Sequence, residues 1–280
     1  MTTAAFFQPS PDGYVPTKWA VGRWSADTLH GPAVVALAVH ELERTCIDSD
    51  DFQPARVTVD LFKAATLDPI TVEIETLRDG RRIRVAEARL IQNQAVVSRT
   101  QLVLLRKSVP PPGSEWSRPE LPVAPPADSL TVMGDNTRSR IGLIGSDDTG
   151  WTNGTGSIQN ASRKRLWAAL PAVVVPGEEL SQFQRAAIAA ESTSLITNLG
   201  TDGIGYINAD LTVALARLPK GDKVGLEADS HWTADGISVG TATLFDEDGP
   251  FGTGMVVAVN NSAAQIDFAK DRPGDRVVRD

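Results

Sequence analysis

The side chain with the clearest chemical promise is Glu191. It follows the run Ala186-Ala187-Ile188-Ala189-Ala190 and shares an i, i+4 row with Phe183, Ala187 and Leu195. On a helix such a row forms one face, so the spacing sets a carboxylate among small apolar side chains. A buried charge is costly, so the group must be paired, hydrogen-bonded or protonated. A carboxylate held this way can orient or deprotonate a water. The same spacing also suits a glutamate at the stripe's edge that points to solvent, or one paired with an arginine such as Arg217. Asn208 opens the stretch INADLTVAL with a polar residue where an apolar one would fit. Its amide can position a water or a carbonyl, or simply cap the strand. Asp210 lies two residues on, which strand alternation puts on the face of Asn208. Its match to Asp60 in an earlier copy of the pattern favours a structural role. His30 precedes Gly31-Pro32 at a helix start, where it could touch a ligand near the free N–H groups or cap the loop.

Other chemistries find no support. There is no G-x-S-x-G elbow, and His30, His40 and His231 stand in separate contexts that give no triad signature. No Cys/His cluster or H-E-x-x-H offers a metal site. GTGSIQ at 154–159 departs from the dinucleotide fingerprint and reads as a loop. A net charge of −8 argues against a general nucleic-acid binder. The local patch Arg163-Lys164-Arg165 could still meet a phosphorylated ligand, although a solvated strand end explains it too. No apolar run approaches a membrane span and the N-terminus has no signal-peptide pattern. The single cysteine, Cys46, excludes an internal disulfide and points to a reducing cytoplasm.

The elements that must position these residues come as a repeat. Residues 56–105 and 206–259 follow one plan: a strand bearing Asp-Leu (Asp60-Leu61, Asp210-Leu211), a second strand, an Asp-Gly turn (Asp79-Gly80, Asp235-Gly236) and a third strand. Val57, Val59 and Leu61 alternate with Thr58, Asp60 and Phe62, the period of half-buried antiparallel strands. Each copy follows one helix. The first starts at Gly31-Pro32, proline being favoured at the first helical position, and is apolar on nearly every side from Ala33 to Val39, so it must be buried. The second spans about 178–199, with Gly200 as its stop. A buried helix wrapped by a curved antiparallel sheet, made twice, is an α+β double hot-dog fold, two antiparallel sheets each wrapped around a central helix. Seven prolines between 109 and 126 mark a connector. The expected division is an N-terminal hot-dog at 1–108, a Pro-rich linker at 109–138 and a C-terminal hot-dog at 139–280. The polar end from about Lys270 is expected to fray. Two similar halves place a site at their seam.

The first half closely resembles the acyl-CoA thioesterase II-like family through YVPTKWAVGRW (14–24), LHGPAVVALAVHELE (29–43), IETLRDGRR (74–82) and AEARLIQN (86–93). The second resembles it through PGEELSQFQRAAIAAES (176–192), INADLTVALARLP (207–219) and GISVGTATLFDEDGPFGTG (236–254). The resemblance implies acyl-CoA as substrate, with coenzyme A entering only as part of it, no separate cofactor or metal, and attack by water without an acyl-enzyme. It places Glu191 at the family's water-holding carboxylate and Asn208 at its polar strand residue. The family's glutamine falls on Val256 or Val257, both apolar, and its Gly-Gly helix entry appears as Gly31-Pro32, one N–H donor short. The implied substrate contacts are His30, Gly31, Val256 and Val257. Two readings follow: a cytoplasmic thioesterase, or a weak or silent acyl-thioester-binding protein that lost the water site. A third, a hot-dog dehydratase, wants a histidine–carboxylate pair and has only His30 to offer. The tandem halves suggest a monomer with an internal pseudo-dimer, or a homo-oligomer.

Overall fold

The computed structural model describes residues 4–126 and 142–270. A hairpin, β1 (Phe7–Ser10) and β2 (Gly13–Pro16), precedes helix α1 (Gly31–Cys46). Strands β3 (Phe52–Leu61), β4 (Thr71–Asp79), β5 (Ile83–Gln92) and β6 (Ala95–Arg106) complete the first half. Three strands then lead in: β7 (Leu143–Ser146), β8 (Gly150–Thr152) and β9 (Lys164–Ala169). The second helix comes in two pieces, α2 (Gln182–Ala190) and α3 (Thr193–Asn198). A short hairpin follows, β10 (Leu199–Gly200) with β11 (Gly203–Ile204). The half closes with β12 (Tyr206–Asn208), β13 (Asp210–Leu215), β14 (Lys223–Ala234), β15 (Ile237–Asp246) and β16 (Gly249–Asn260).

The repeat is thus a real structural one: β3–β6 after α1 answer to β13–β16 after α2 and α3. The strand order is β4-β5-β6-β3-β13-β16-β15-β14-β9-β7-β8. Read outward from the centre, each half runs through its strands in the same sequence. The two expected sheets therefore meet edge to edge as one antiparallel sheet. Their seam is β3 against β13, with Asp60 opposite Asp210, Val59 opposite Leu211 and Val57 opposite Val213. Val57, Val59, Leu211 and Val213 point into the core and are all but inaccessible. The two aspartates face the other way, and each is hydrogen-bonded, Asp60 to a cation and Asp210 to a backbone amide. Asp60 accepts from Arg99 Nη2 at 3.0 Å, and Asp210 accepts the Val257 N–H at 2.7 Å.

α1 is buried continuously from Ala33 to Leu42, as its all-round apolar sequence requires. It packs on α2 and on β4, β5 and β6, while α3 packs on β14, β15 and β16. The second helix departs from the single 178–199 segment the sequence suggests. Ser181 caps it by accepting the Gln184 N–H, so it begins at Gln182. It breaks after Ala190 because the run Glu191-Ser192-Thr193-Ser194 tightens the backbone. Glu191 N–H donates to Ile188 O and Ser192 N–H to Ala189 O, both three residues back. Asp235 and Gly236 both take positive φ, 51° and 75°, between the paired Ala234 and Ile237. That is a two-residue turn matching the strand twist.

Of the connector, residues 109–126 carry no helix or strand. Arg118 pins them with an ion pair to Asp229 at 2.5 Å. The rest of the linker expected at 109–138, and the chain end beyond Lys270, lie outside the described residues. Residues 155–158 form a single 3₁₀ turn in the loop read from GTGSIQ. Among the described residues, no helix is long and apolar enough to cross a membrane.

Candidate active site

Glu191 caps the C-terminal end of α2, at the break between the two helical pieces. The break turns its carboxyl toward the other half of the chain, against the first residue of α1. A Cβ added to Gly31 would collide with Glu191 Oε1 and stand 2.6 Å from Cδ. Glycine at 31 is therefore what lets the helix start approach the carboxylate. Although the residue keeps some exposed surface, burial of its carboxyl pushes the pKa up to about 8. Arg217 is not its partner: both guanidinium arms hold Asp246 instead, at 2.6 and 2.8 Å.

Asn208 Nδ2 donates to Glu191 Oε1 at 3.2 Å. This contact depends on a bulge. From Asn208 to Thr212 the chain advances four residues while its partner advances three, from Ala258 to Met255. The extra residue, Ala209, reverses the alternation. Asn208 stands opposite the buried Ala258 and faces the helices, whereas Asp210 faces away toward the Val257 N–H. The shared face inferred from sequence alternation is thus corrected: the two polar residues point in opposite directions. The same strand separates the two valines. Val256 is fully buried and shares the inward face with Ala258; Val257 is half-buried, and its backbone serves Ala209 and Asp210.

His30 is held at both ring nitrogens. Nε2 donates to Trp19 O at 2.8 Å, and Nδ1 accepts the Ala33 N–H at 3.0 Å, closing the N-terminus of α1. Burial pushes its pKa below the usual value, so the ring is neutral at pH 7. Pro32 has no N–H and that of Ala33 is used, so Gly31 carries the donor beside Glu191.

Further polar residues join the site that the sequence did not single out. Ser194 Oγ donates to Asn208 Oδ1, and Asn198 Nδ2 donates to Ser194 Oγ at 3.4 Å. Glu191, Ser194 and Asn198 lie at i, i+3 and i+7, a polar stripe that could have signalled them. Asn198 Oδ1 accepts in turn from Ser238 Oγ at 2.6 Å and lies 3.2 Å from His231 Nε2. Among the described residues no group of three or more His, Cys, Asp or Glu converges as a metal site would need.

A model of the acyl-CoA thioesterase N-terminal domain matches residues 20–105, and one of the acyl-CoA thioesterase C-terminal domain matches 118–258. The chain belongs to the acyl-CoA thioesterase family. No curated protein sequence matches this thioesterase-family chain significantly. Solved structures share its fold. A tesB protein of Mycobacterium avium subspecies paratuberculosis aligns with a TM-score of 0.65 at 16% identity, over 91% of this chain and 95% of that one. The acyl-CoA thioesterase II TesB2 of Mycobacterium marinum gives 0.62 at 15%, over 82% and 88%. A hot-dog protein of unknown function from Alicyclobacillus acidocaldarius gives 0.63 at 12%, over 91% and 95%. The hot-dog architecture read from the repeat is the architecture these proteins share.

Within this family member the repeat is chemically lopsided. Glu191 lies ten residues after its helix cap, Ser181; ten residues after the other cap, His30, comes His40. His40 is buried and faces Glu178 at 3.8 Å, just before α2, as Glu191 faces Gly31. One half thus carries a carboxylate at this position and the other an imidazole. A groove of about 550 Å³ beside the first half is lined by Tyr14, Glu41 and Arg44, not by the Glu191 group. Gly31→Ala is expected to displace the Glu191 carboxyl and lower turnover by about tenfold to a hundredfold. Steady-state thioester hydrolysis, with circular dichroism confirming the fold, checks this.

Proposed function

We propose that this chain hydrolyses an acyl-CoA thioester to a free acid and coenzyme A. The observation that carries the reading is the enclosed Glu191 carboxyl, bonded to Asn208 and packed on Gly31 at the start of α1. Ionised Glu191 takes a proton from a water, whose oxygen attacks the carbonyl carbon. Asn208 fixes the carboxylate while the Gly31 N–H, at the positive end of α1, faces the developing oxyanion. Collapse breaks the C–S bond, and the leaving thiolate takes up the proton that Glu191 received from the water, which restores the carboxylate. No cofactor enters beyond the coenzyme A of the substrate. Cys46 as the lone cysteine supports a reducing, cytoplasmic setting. The β3–β13 seam supports a monomer that contains its own pseudo-dimer.

A second reading is favoured by one feature: the inward positions on β16 beside Asn208 are the buried Ala258 and Val256, neither an amide that could hold the water. On that reading the protein binds acyl thioesters and turns them over poorly. Free-thiol release from acyl-CoAs of several chain lengths separates the two, run beside titration with a non-hydrolysable thioether analogue. Release above background with at least one chain length is the expected result. Binding without release from any chain would favour the second reading.

A further inference from the structure

The hydrogen bonds behind Asn208 run in one direction. Glu191 Oε1 accepts from Asn208 Nδ2, whose Oδ1 accepts from Ser194 Oγ. Ser194 Oγ accepts from Asn198 Nδ2, and Asn198 Oδ1 accepts from the hydroxyl of Ser238. His231 Nε2 meets both Asn198 Oδ1 and Ser238 Oγ, at 3.2 and 3.0 Å. An amide has one donor end and one acceptor end, so each link dictates how the next is turned. If Ser194 stopped donating, no bond in this row other than the one to Glu191 itself would fix which end of the Asn208 amide faces the carboxyl. Flipped, the amide would set its own oxygen against the carboxylate.

We propose that Ser194, backed by Asn198, is a positioning residue that fixes the Asn208 amide with its N–H toward Glu191 and so favours the ionised, water-activating carboxylate. Ser238 and His231 anchor the outer end of the row. The proposal rests on the hydrolytic role of Glu191 put forward above. The elements around the site make this a specific arrangement: α3 supplies Ser194 and Asn198, β12 supplies Asn208, and β14 and β15 supply His231 and Ser238. Burial accounts for the raised pKa of Glu191, and no charged neighbour contributes to it. At the outer end the charged neighbour of His231 is Lys164, which together with burial keeps the ring neutral. Asn198 and Ser238 are themselves nearly inaccessible, so water is a poor substitute for a missing link.

The test is the pH profile of kcat for thioester hydrolysis. Ser194→Ala is expected to move the acid limb up by about one pH unit, which is tenfold in rate on that limb. The high-pH plateau and KM should change much less. Ser194→Thr, which keeps a hydroxyl, should restore the profile. Asn198→Ala, one link further out, should shift it in the same direction by less. Together the two alanine variants keep the test open if one of them fails to fold. An unmoved acid limb in folded Ser194→Ala and Asn198→Ala would overturn the proposal, even if Glu191→Gln abolishes turnover. If Glu191→Gln retains full turnover, the hydrolytic role of Glu191 fails instead, and the two failures are told apart.

Discussion

Replacing Glu191 by glutamine is expected to lower kcat/KM by about 10²–10⁴, the usual contribution of a positioned general base. The amide keeps the shape of the side chain and its contact with Gly31 but cannot take a proton. The same change should stabilise the protein above neutral pH. Burial raises the pKa of Glu191 from its ordinary 4.5 to about 8. The folded state therefore holds this proton more tightly than the unfolded chain does. Its stabilising contribution is fully present below about pH 4.5 and is lost as pH rises through about 8. Glutamine has no proton to lose, so its advantage in melting temperature should widen from about pH 4.5 to about pH 8 and level off above it. The wild-type rate should show the opposite trend, falling about tenfold for each unit below pH 8 as the base becomes protonated. Melting curves and kcat/KM measured across that range check both limbs. A variant that loses activity yet melts no higher at pH 9 would place the carboxyl in a wetter setting than the structure does.

Arg217→Ala is expected to destabilise the fold by about 3 kcal/mol, toward the lower end for a broken buried pair because the guanidinium is partly exposed. Asp246 is nearly inaccessible and accepts both arms of Arg217, together with the N–H groups of Lys220 and Asp248. Burial works to raise its pKa, yet these four bonds hold it below the usual value. Its stabilising effect is thus present above about pH 4 and lost as pH falls through the folded value. The damage done by Arg217→Ala should accordingly be largest near neutrality and shrink in acid. Urea unfolding at pH 7 and at about pH 3 measures the difference. The double variant Arg217→Ala, Asp246→Ala should recover much of the loss, since no buried charge is then left without a partner.

The sequence carried the fold through features that act locally. Alternation in residues 57–62, the Asp-Gly turns and the all-round apolar run of α1 each have a short-range cause, and together they imply the repeat. Glu191 and Asn208 were legible because each breaks an apolar pattern. What was hidden depends on geometry that periodicity misreads. A bulge of one residue at Ala209 turns Asn208 inward and Asp210 outward, and alternation alone assigns them one face. The break after Ala190 comes from backbone bonds that tighten to three residues back, so an apolar stripe reads as one continuous helix. The Ser194 and Asn198 stripe lies just past that break. Arg217 is near enough in sequence to look like a partner for Glu191, but its real partner lies on β15, set by the turn between β15 and β16.

The seam between β3 and β13 bears on why the two repeats share a chain at all. A hot-dog unit with a free β3-like or β13-like edge has three potential mates: the other repeat, or another copy of either one. Two second halves together would bring Glu191 to a helix start that is not Gly31. Two first halves would bring His40 to both positions and a carboxylate to neither. Only the mixed pair unites Glu191 with Gly31. The covalent connector raises the effective concentration of the correct mate to the millimolar range, with no specificity needed at the strands themselves. The tether thereby selects the partner, and the second repeat could specialise without a matching change in the first.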